Sequence, residues 1–159
     1  LIVYKLAEDY YFVVVNASNK DKDYEHMKKN ILPGTIIEDI SDSLAELALQ
    51  GPKSFDIISE LLPIEDIPHK YYTVKQNVMI NGMECMISYT GYTGEAGFEI
   101  YTAKENAENL WKTLRKTGED YGMIPCGLGA RDTLRMEAAM PLYGHEMDEY
   151  ITPLETKTS

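Results

Sequence analysis

Two spacings of apolar residues run along this chain, one typical of β-strands and one typical of α-helices. Runs of Val, Ile, Tyr and Phe predict two hairpins, one closed at residues 6–9 and one closed at Asn81-Gly82. Asn-Gly favours a type I′ turn because both residues accept a positive φ. The predicted strands are residues 1–4, 10–16, 35–40, 44–49, 71–80, 83–90 and 98–102. Residues 44–49 also have high helix propensity, so a helix there remains an alternative.

Apolar residues spaced three and four apart predict helices between these strands. The first helix follows cap candidates at residues 16–19 and ends before Pro33, and the second runs from Pro52 to Leu62. Two more helices are predicted over residues 104–116 and 127–138. Because the strands come in hairpins and do not alternate strictly with helices, we predict an α+β fold of antiparallel sheets with interleaved helices.

Composition narrows the classes of function that this fold can serve. The 159 residues carry a formal net charge of −11, which opposes nucleic acid and anionic lipid. No apolar run approaches the ~20 residues of a membrane helix. Cys85 and Cys126 form no CxxC pair and the three His residues are scattered, so we predict no disulfide scaffold and no metal site. The acidic residues at 145–149 are interpreted as solvated.

The ends of the sequence carry expectations about its context. The chain begins at Leu1 within a predicted strand, without an initiator Met or a basic leader, so we expect a piece of a longer protein. Residues 1–62 are expected to form part of an N-terminal lobe, and residues 63–145 a second α+β lobe. Residues 146–159 are expected to form a return segment and a polar tail without regular structure.

The segment from Ser88 to Tyr101 is the strongest candidate for a binding site. Its glycines permit positive φ or close backbone approach, its aromatic residues could wall a flat ligand, and a single acid follows on the next strand. Those residues are Gly91, Gly94, Gly97, Tyr89, Tyr92, Phe98 and Glu99. A buried carboxylate accepts paired N–H groups well, from an Arg or from a heterocycle such as a pterin. Alternatively, Glu99 is a surface residue of the strand and the tyrosines belong to the core.

Arg131 and Arg135 lie four residues apart, so a helix would place them on one face. That face could border the same cavity as Glu99, or both side chains could form exposed pairs with Asp132 and Glu137. The residues alone do not choose between these arrangements. Composition and periodicity therefore indicate an α+β domain with an aromatic, acid-lined pocket as a hypothesis.

Longer motifs carry a resemblance over nearly the whole chain. They occur in collinear order: Val14-Val-Asn-Ala17, Ala48-Leu-Gln-Gly-Pro52, Thr90-Gly-Tyr-Thr-Gly-Glu95, Gly97-Phe-Glu-Ile100, Gly127-Leu-Gly-Ala-Arg-Asp-Thr-Leu-Arg135, Met140-Pro-Leu-Tyr-Gly-His-Glu-Met-Asp-Glu149 and Ile151-Thr-Pro-Leu-Glu155. With these motifs the chain resembles the aminomethyltransferase of the glycine cleavage system, the T-protein family. The resemblance implies part of a folate-binding aminomethyltransferase fold.

The resemblance also implies a reaction and its partners. An aminomethyl group on the lipoyl sulfur of the H-protein would lose ammonia, and its one-carbon unit would pass to tetrahydrofolate. By motif matching, Glu99 and Arg131 would contact the pterin and Tyr92 would stand beside it. Shorter matches would add three further residues to the pocket: Asn16, Tyr72 and Val14. No metal is implied.

Three departures from the family pattern bear on activity. The family's catalytic aspartate would fall immediately before Leu1, and the family's C-terminal barrel-like domain has no counterpart in these residues. Tyr89 stands where the family usually has an arginine. We therefore expect the parent protein to be active and these 159 residues alone to be inactive. A location in the bacterial cytoplasm, or in the mitochondrial matrix of a eukaryote, fits this role.

Other functions remain open from the sequence. The chain could be the folate-binding module of a sarcosine or dimethylglycine demethylase, which would differ by an appended flavin domain. It could also be a non-catalytic folate-binding or structural module. Apolar surface that a missing domain would cover makes a homodimer of the chain a further alternative.

Overall fold

A computed structural model describes residues 1–156 of the chain. The last part of the predicted polar tail, residues 157–159, lies outside the described residues. Residues 1–156 contain six strands and four α-helices, which follow one another as β1 (Ile2–Ala7), β2 (Tyr10–Val14), α1 (Lys20–Lys29), β3 (Leu44–Gln50), α2 (Ser54–Ser59), β4 (Val74–Ile80), β5 (Met83–Ser88), β6 (Gly97–Ala103), α3 (Ala107–Gly118) and α4 (Leu128–Glu137).

The chain divides into two compact units, residues 1–44 and the part that begins at Ala45. The first unit holds the antiparallel hairpin of β1 and β2, in which Tyr4 stacks on Phe12, followed by α1. The predicted hairpin and helix are confirmed. The division of a longer protein into lobes at residue 62 stays a prediction.

The second unit is built on a four-stranded sheet in the order β3-β6-β5-β4. Strands β4 and β5 are antiparallel around Asn81 and Gly82, whose φ values of 49° and 80° are those of the predicted type I′ turn. A bulge follows Lys75, where Asn77 takes a φ of 56°. Strand β6 lies between β3 and β5 and is buried from Gly97 to Thr102.

Helices α2 and α3 pack against each other, and α2 also packs on β6. Ile57 and Ile58 of α2, together with Leu110 and Leu114 of α3, join the apolar side chains of the sheet in one core. Burying a side chain of this size contributes about 1.5–3 kcal/mol. Trp111, next to Leu110 on the same helix, is 44% exposed.

Helix α4 ends in a Schellman motif that turns the chain sharply. The amide of Met140 donates to the carbonyl of Arg135, and the amide of Ala139 donates to that of Met136. Ala139 accordingly takes a φ of 55°, a conformation in which glycine is the usual residue. The turn carries residues 140–146 back along α4.

The sequence prediction was wrong at residues 35–40, which form neither helix nor strand. Their β-branched residues favour extended backbone, but no strand of the described residues pairs with them, and an unpaired strand is not stable by itself. Residues 44–49, for which both a strand and a helix were considered, lie in strand β3. Within residues 1–156, every helix falls short of the length and hydrophobicity that crossing a membrane requires.

Candidate functional site

Glu99 lies on β6 with its carboxylate buried, 7% of the residue being exposed. The hydroxyl of Thr90 donates a hydrogen bond to Glu99 Oε2, and the Tyr101 hydroxyl lies 3.5 Å from the same oxygen. Phe98 and Ile100, its neighbours in sequence, belong to the apolar core. Because β6 is an inner strand, both of its faces are covered, so the acid and the apolar residues are all buried.

A second carboxyl, that of Glu46, lies on β3, the neighbour of β6 in the sheet. The pKa of Glu46 is raised to about 7, chiefly through loss of hydration and further through the charge of Glu99, while Arg131 opposes the shift. Glu46 as a whole residue is nevertheless exposed to solvent. The two neighbouring strands therefore carry one buried acid, Glu99, and one exposed acid, Glu46.

Arg131 on α4 is exposed, and its guanidinium carbon lies 5.0 Å from the centre of the Tyr92 ring. At this distance the cation is attracted by the face of the ring. Arg131 also acts electrostatically on Glu46. The structure thus brings Arg131 and Tyr92, both proposed from the sequence, into contact with each other.

Arg135, on the same helix, has a different environment. Its side chain is 4% exposed and forms ion pairs of 2.7 Å with Asp132 and 2.8 Å with Glu146. It also donates to the carbonyl of Met140 at 3.3 Å. Of the alternative left open by the sequence, exposed pairs with Asp132 and Glu137, only the pairing with Asp132 is present, and the Arg135 side chain in it is buried. The second partner is Glu146, through which Arg135 ties the turn after α4 to the helix.

Tyr92 is anchored to this turn through its hydroxyl, which donates to the carbonyl of Pro141. Loss of hydration raises the pKa of the Tyr92 hydroxyl. One end of the ring is therefore held by the turn while a face is held by Arg131. Arg135 acts on this arrangement indirectly, because it fixes the turn to which Tyr92 is bonded.

Gln50, the last residue of β3, holds the segment between β5 and β6. Its amide nitrogen donates to the carbonyls of Thr90 at 3.2 Å and Phe98 at 3.3 Å. A Cβ added at Gly91 or Gly97 would lie 1.9 or 2.1 Å from the Gln50 amide oxygen. These two glycines therefore make room for the Gln50 side chain.

At Gly94, the third glycine of the segment, backbone conformation and the nearby Ala138 side chain require glycine. Its φ of +76° is one that other residues rarely adopt, and a Cβ there would lie 2.6 Å from that of Ala138. The positive φ and the close approach predicted for these glycines are therefore both present, and the atoms that approach them belong to Gln50 and Ala138.

The other aromatic residues of the segment form a stacked series. The ring of Tyr89 lies 4.5 Å from that of Tyr71 and 5.2 Å from that of Phe98, which is fully buried. Phe98 is therefore a core residue, and Tyr89 is half-buried and packs against the core. A wall for a flat ligand at these rings stays a prediction. Tyr72, at the exposed end of this series, takes a φ of 61° and is 70% exposed.

Asn16 and Val14 lie in the first unit. The side-chain oxygen of Asn16 accepts hydrogen bonds from the amide of Ser18 at 3.1 Å and the hydroxyl of Ser18 at 2.7 Å, which caps the short helix that follows. Val14 ends β2 and pairs with Ile2. Their part in a pocket, like that of Tyr72, stays a prediction.

Three polar residues of the site were given no role from the sequence: Glu46, Gln50 and Thr90. Gln50 and Thr90 stand inside the quoted motifs, which marked them without saying what they do. Glu46 had only a weak signal, an acid within a predicted strand, because its importance comes from the neighbouring strand β6. Among residues 1–156 no cluster of three or more His, Cys, Asp or Glu side chains is arranged to hold a metal ion.

Comparisons with known proteins all point to one protein family. The family model of the GCVT N-terminal domain matches residues 1–159. An aminomethyltransferase of Caldanaerobacter subterraneus subsp. tengcongensis is 51% identical over 156 residues, which are 98% of this chain and 42% of that protein. An aminomethyltransferase of Clostridium botulinum (strain ATCC 19397 / Type A) is 49% identical over the same shares of the two chains.

A solved structure gives the same result for the fold. The glycine cleavage system aminomethyltransferase T from Bartonella henselae is similar with a TM-score of 0.73 and 28% identity, over 92% of this chain and 38% of that one. The predicted α+β fold, as part of an aminomethyltransferase fold, is thereby confirmed. The chain spans only about 42% of the length of the curated relatives it matches.

Proposed function

Because the chain belongs to the family of the GCVT N-terminal domain, we propose that it supplies folate recognition to an aminomethyltransferase of the glycine cleavage system. The full reaction passes a one-carbon unit from the aminomethyl-lipoyl group of the H-protein to tetrahydrofolate and releases ammonia. The name aminomethyltransferase on relatives about half identical to this chain supports this reaction over a demethylase.

The buried carboxylate of Glu99 is the observation that carries this proposal. Thr90 and Tyr101 both reach its Oε2, which orients the group. The amino-bearing edge of a pterin presents two parallel N–H donors, and a carboxylate accepts such a pair with two charge-assisted bonds. Glu99 would therefore bind and orient the pterin of tetrahydrofolate.

Arg131 and Tyr92 would complete the recognition surface. The guanidinium of Arg131 is exposed, so its N–H groups are accessible to an anionic or carbonyl group of the ligand. Tyr92 presents an aromatic ring fixed at its hydroxyl end by the Pro141 carbonyl. Asn16, Val14 and Tyr72 are proposed as further lining residues on the motif matches alone.

We propose catalytic turnover only for a protein as long as these relatives. Catalysis of this kind requires a group that stabilises positive charge as ammonia leaves, and none of the site residues named here is proposed for that role. Activity of these 159 residues alone is not expected. The lipoylated H-protein as partner and a cytoplasmic or mitochondrial location stay predictions.

Calorimetric titration of the chain with tetrahydrofolate, kept reduced, tests the binding. Replacing Glu99 with Gln keeps the shape but turns one acceptor oxygen into a donor, which we expect to weaken binding by about tenfold to a hundredfold. Glu95→Gln is the matched control, because Glu95 is exposed on the same segment. Equal affinity of both variants and the unmodified chain would contradict the proposed role of Glu99.

A chimaera tests the reaction. The chain would replace its matching segment in the Caldanaerobacter aminomethyltransferase, and formation of methylene-tetrahydrofolate would be measured with aminomethylated H-protein. We expect turnover by the chimaera and none by the chain alone. A folded chimaera that binds tetrahydrofolate but transfers a one-carbon unit only from sarcosine or dimethylglycine would favour the demethylase function.

A further inference from the structure

The turn after α4, residues 140–146, belongs to a long motif of the sequence, yet none of its residues binds folate in the proposed function. We call it the return turn. Both of its ends are bonded to Arg135 of the helix. Nη1 of Arg135 donates to the carbonyl of Met140 at 3.3 Å and to Glu146 Oε2 at 2.8 Å. The backbone amide of Leu142 donates to the same Glu146 oxygen at 2.9 Å. One guanidinium and one carboxylate therefore close the turn.

The conformation of the return turn depends on these bonds more than on local preference. Ala139, immediately before the turn, takes a φ of 55°, which few residues other than glycine adopt. Such a conformation persists where the surrounding contacts determine it. The Arg135 side chain is only 4% exposed, and its Nε also bonds Asp132 at 2.7 Å. Its planar fork bonds the helix and the turn at the same time, which a single ammonium group cannot do.

The return turn and the end of α4 contact the binding segment at two points. The Tyr92 hydroxyl donates to the carbonyl of Pro141 and lies 3.4 Å from that of Met140. The backbone of Gly94 lies so close to Ala138 that an added Cβ would be 2.6 Å from the Ala138 Cβ. The position of the Tyr92 ring is therefore set by the turn that Arg135 closes.

We propose that Arg135 is a positioning residue for folate: by closing the return turn it fixes the Tyr92 ring, against which Arg131 lies. Arg131 and Tyr92 would contact the ligand, whereas Arg135 would act on it only through Tyr92. The proposal rests on the proposed function, because it assumes that Tyr92 stands beside the bound folate. It gives the motif of residues 140–146 a role in recognition.

The physical reason is the ordering that binding requires. A hydroxyl bonded to the carbonyl of a loose turn does not hold a ring in one place. Binding would then have to order both the ring and the turn, and the lost freedom weakens the affinity. Arg131 would be affected as well, because its guanidinium carbon lies 5.0 Å from the centre of the Tyr92 ring.

A double-mutant cycle with Arg135→Lys and Tyr92→Phe tests whether Arg135 acts through Tyr92. The first substitution keeps the charge but lacks the planar fork, and the second keeps the ring but lacks the bond to the turn. Affinity for tetrahydrofolate, kept reduced, is measured by calorimetry on variants that circular dichroism shows to be folded. We expect each single variant to bind about five- to tenfold more weakly. The double variant should bind about as the weaker single one does, because one link is already broken.

Arg115→Lys is the matched control, because Arg115 is a half-buried arginine on α3 and undergoes the same replacement. Its affinity should stay within about twofold of that of the unmodified chain. Glu146→Ala replaces Arg135→Lys in the cycle if the latter does not fold, since Glu146 is 45% exposed and bonds the turn to Arg135. Independent, multiplying effects of the two substitutions, or unchanged affinity of Arg135→Lys, would overturn the proposal.

NMR of the ligand-free chain with carbon-labelled tyrosine separates this inference from the proposed function. If the unmodified chain does not bind tetrahydrofolate, the proposed function fails, and with it any positioning of folate. The fixing of the ring is then judged by itself: Arg135→Lys should shift the ring signals of Tyr92 and leave those of Tyr121, which bonds Glu60, unchanged. Tyr92 signals identical to those of the unmodified chain would show that Arg135 does not hold this ring.

Discussion

Acidic side chains in this protein differ in pKa because their nearest neighbours differ. Asp39 accepts hydrogen bonds from the hydroxyl and amide of Ser41, which lowers its pKa to about 2. Glu108 pairs with Lys112, which lowers the pKa of that carboxyl. Glu46 has lost hydration beside a second carboxylate, and its pKa rises to about 7. Of these three carboxyls, only Glu46 therefore has a pKa near neutral pH, where its charge changes.

The raised pKa of Glu46 predicts how stability changes with pH. The folded state keeps a proton on Glu46 that the unfolded chain releases above its ordinary pKa of 4.5. Its contribution to stability is therefore fully present below pH 4.5 and is lost as the pH rises through about 7. Asp39 does not interfere, because its contribution is lost only as the pH falls toward about 2.

Thermal unfolding at pH 5 and pH 8 measures this effect. We expect the melting temperature of the unmodified chain to fall between these pH values by roughly 2–4 °C more than that of Glu46→Gln. This difference corresponds to about 1 kcal/mol, a modest value because Glu46 is exposed to solvent. Glu84→Gln, which removes an exposed acid on β5, should keep the full dependence on pH. Parallel curves for the unmodified chain and Glu46→Gln would contradict a raised pKa.

At the scale of secondary-structure elements, Gln50 connects three parts of the second unit. It ends β3, its amide bonds the carbonyl of Phe98 on β6, and it bonds the carbonyl of Thr90 after β5. Gly91 and Gly97 give its side chain the space it occupies. Thr90 and Glu99, which carry the site, are therefore positioned through a residue that lies outside their own segment.

The variant Gln50→Glu tests this connection. A carboxylate at this position would face the carbonyl oxygens of Thr90 and Phe98 as an acceptor without a donor. We expect a loss of about 1–3 kcal/mol in the free energy of unfolding, measured by urea denaturation. Gln76→Glu is the control, because Gln76 is exposed on β4 of the same sheet. An equal, small effect of both substitutions would show that the Gln50 bonds contribute little.

At the scale of the whole molecule, the two compact units differ in how much regular structure holds them. The second unit has a four-stranded sheet and a continuous apolar core. The first has a two-stranded sheet and one α-helix, which has no buried residue. Residues 31–40 within it form no helix or strand and are mostly exposed. Backbone of this kind is where proteases cut first.

Limited digestion with a Glu-specific protease tests this difference. We expect the earliest cleavage after Glu38, which lies in the exposed segment, and mass spectrometry should detect residues 1–38 and 39–159 as the first products. In the variant Glu38→Gln this cleavage should disappear while the later ones remain. An earliest cut after Glu84 or Glu99 would contradict the difference between the units. The proposed homodimer stays a prediction that sedimentation can test.

Local features of the chain were predictable from the sequence where a few neighbouring residues determine them. The turn at Asn81-Gly82 depends on the backbone freedom of two residues, and the helix over Leu110 and Leu114 depends on spacing within four residues. The family followed from motifs, because their order along the chain is a property of sequence alone. The strand predicted at residues 35–40 failed because a strand requires a partner that propensity does not supply.

Only the tertiary structure decided which polar residues act together. Arg131 and Arg135 share a helix face by spacing, yet one is exposed beside Tyr92 and the other is buried between Asp132 and Glu146. The effect of the Glu99 charge on the pKa of Glu46 depends on β3 lying beside β6. Local pattern carries no information about such long-range pairing. Charge state follows from the neighbours that folding brings close, so this effect became visible only in the folded chain.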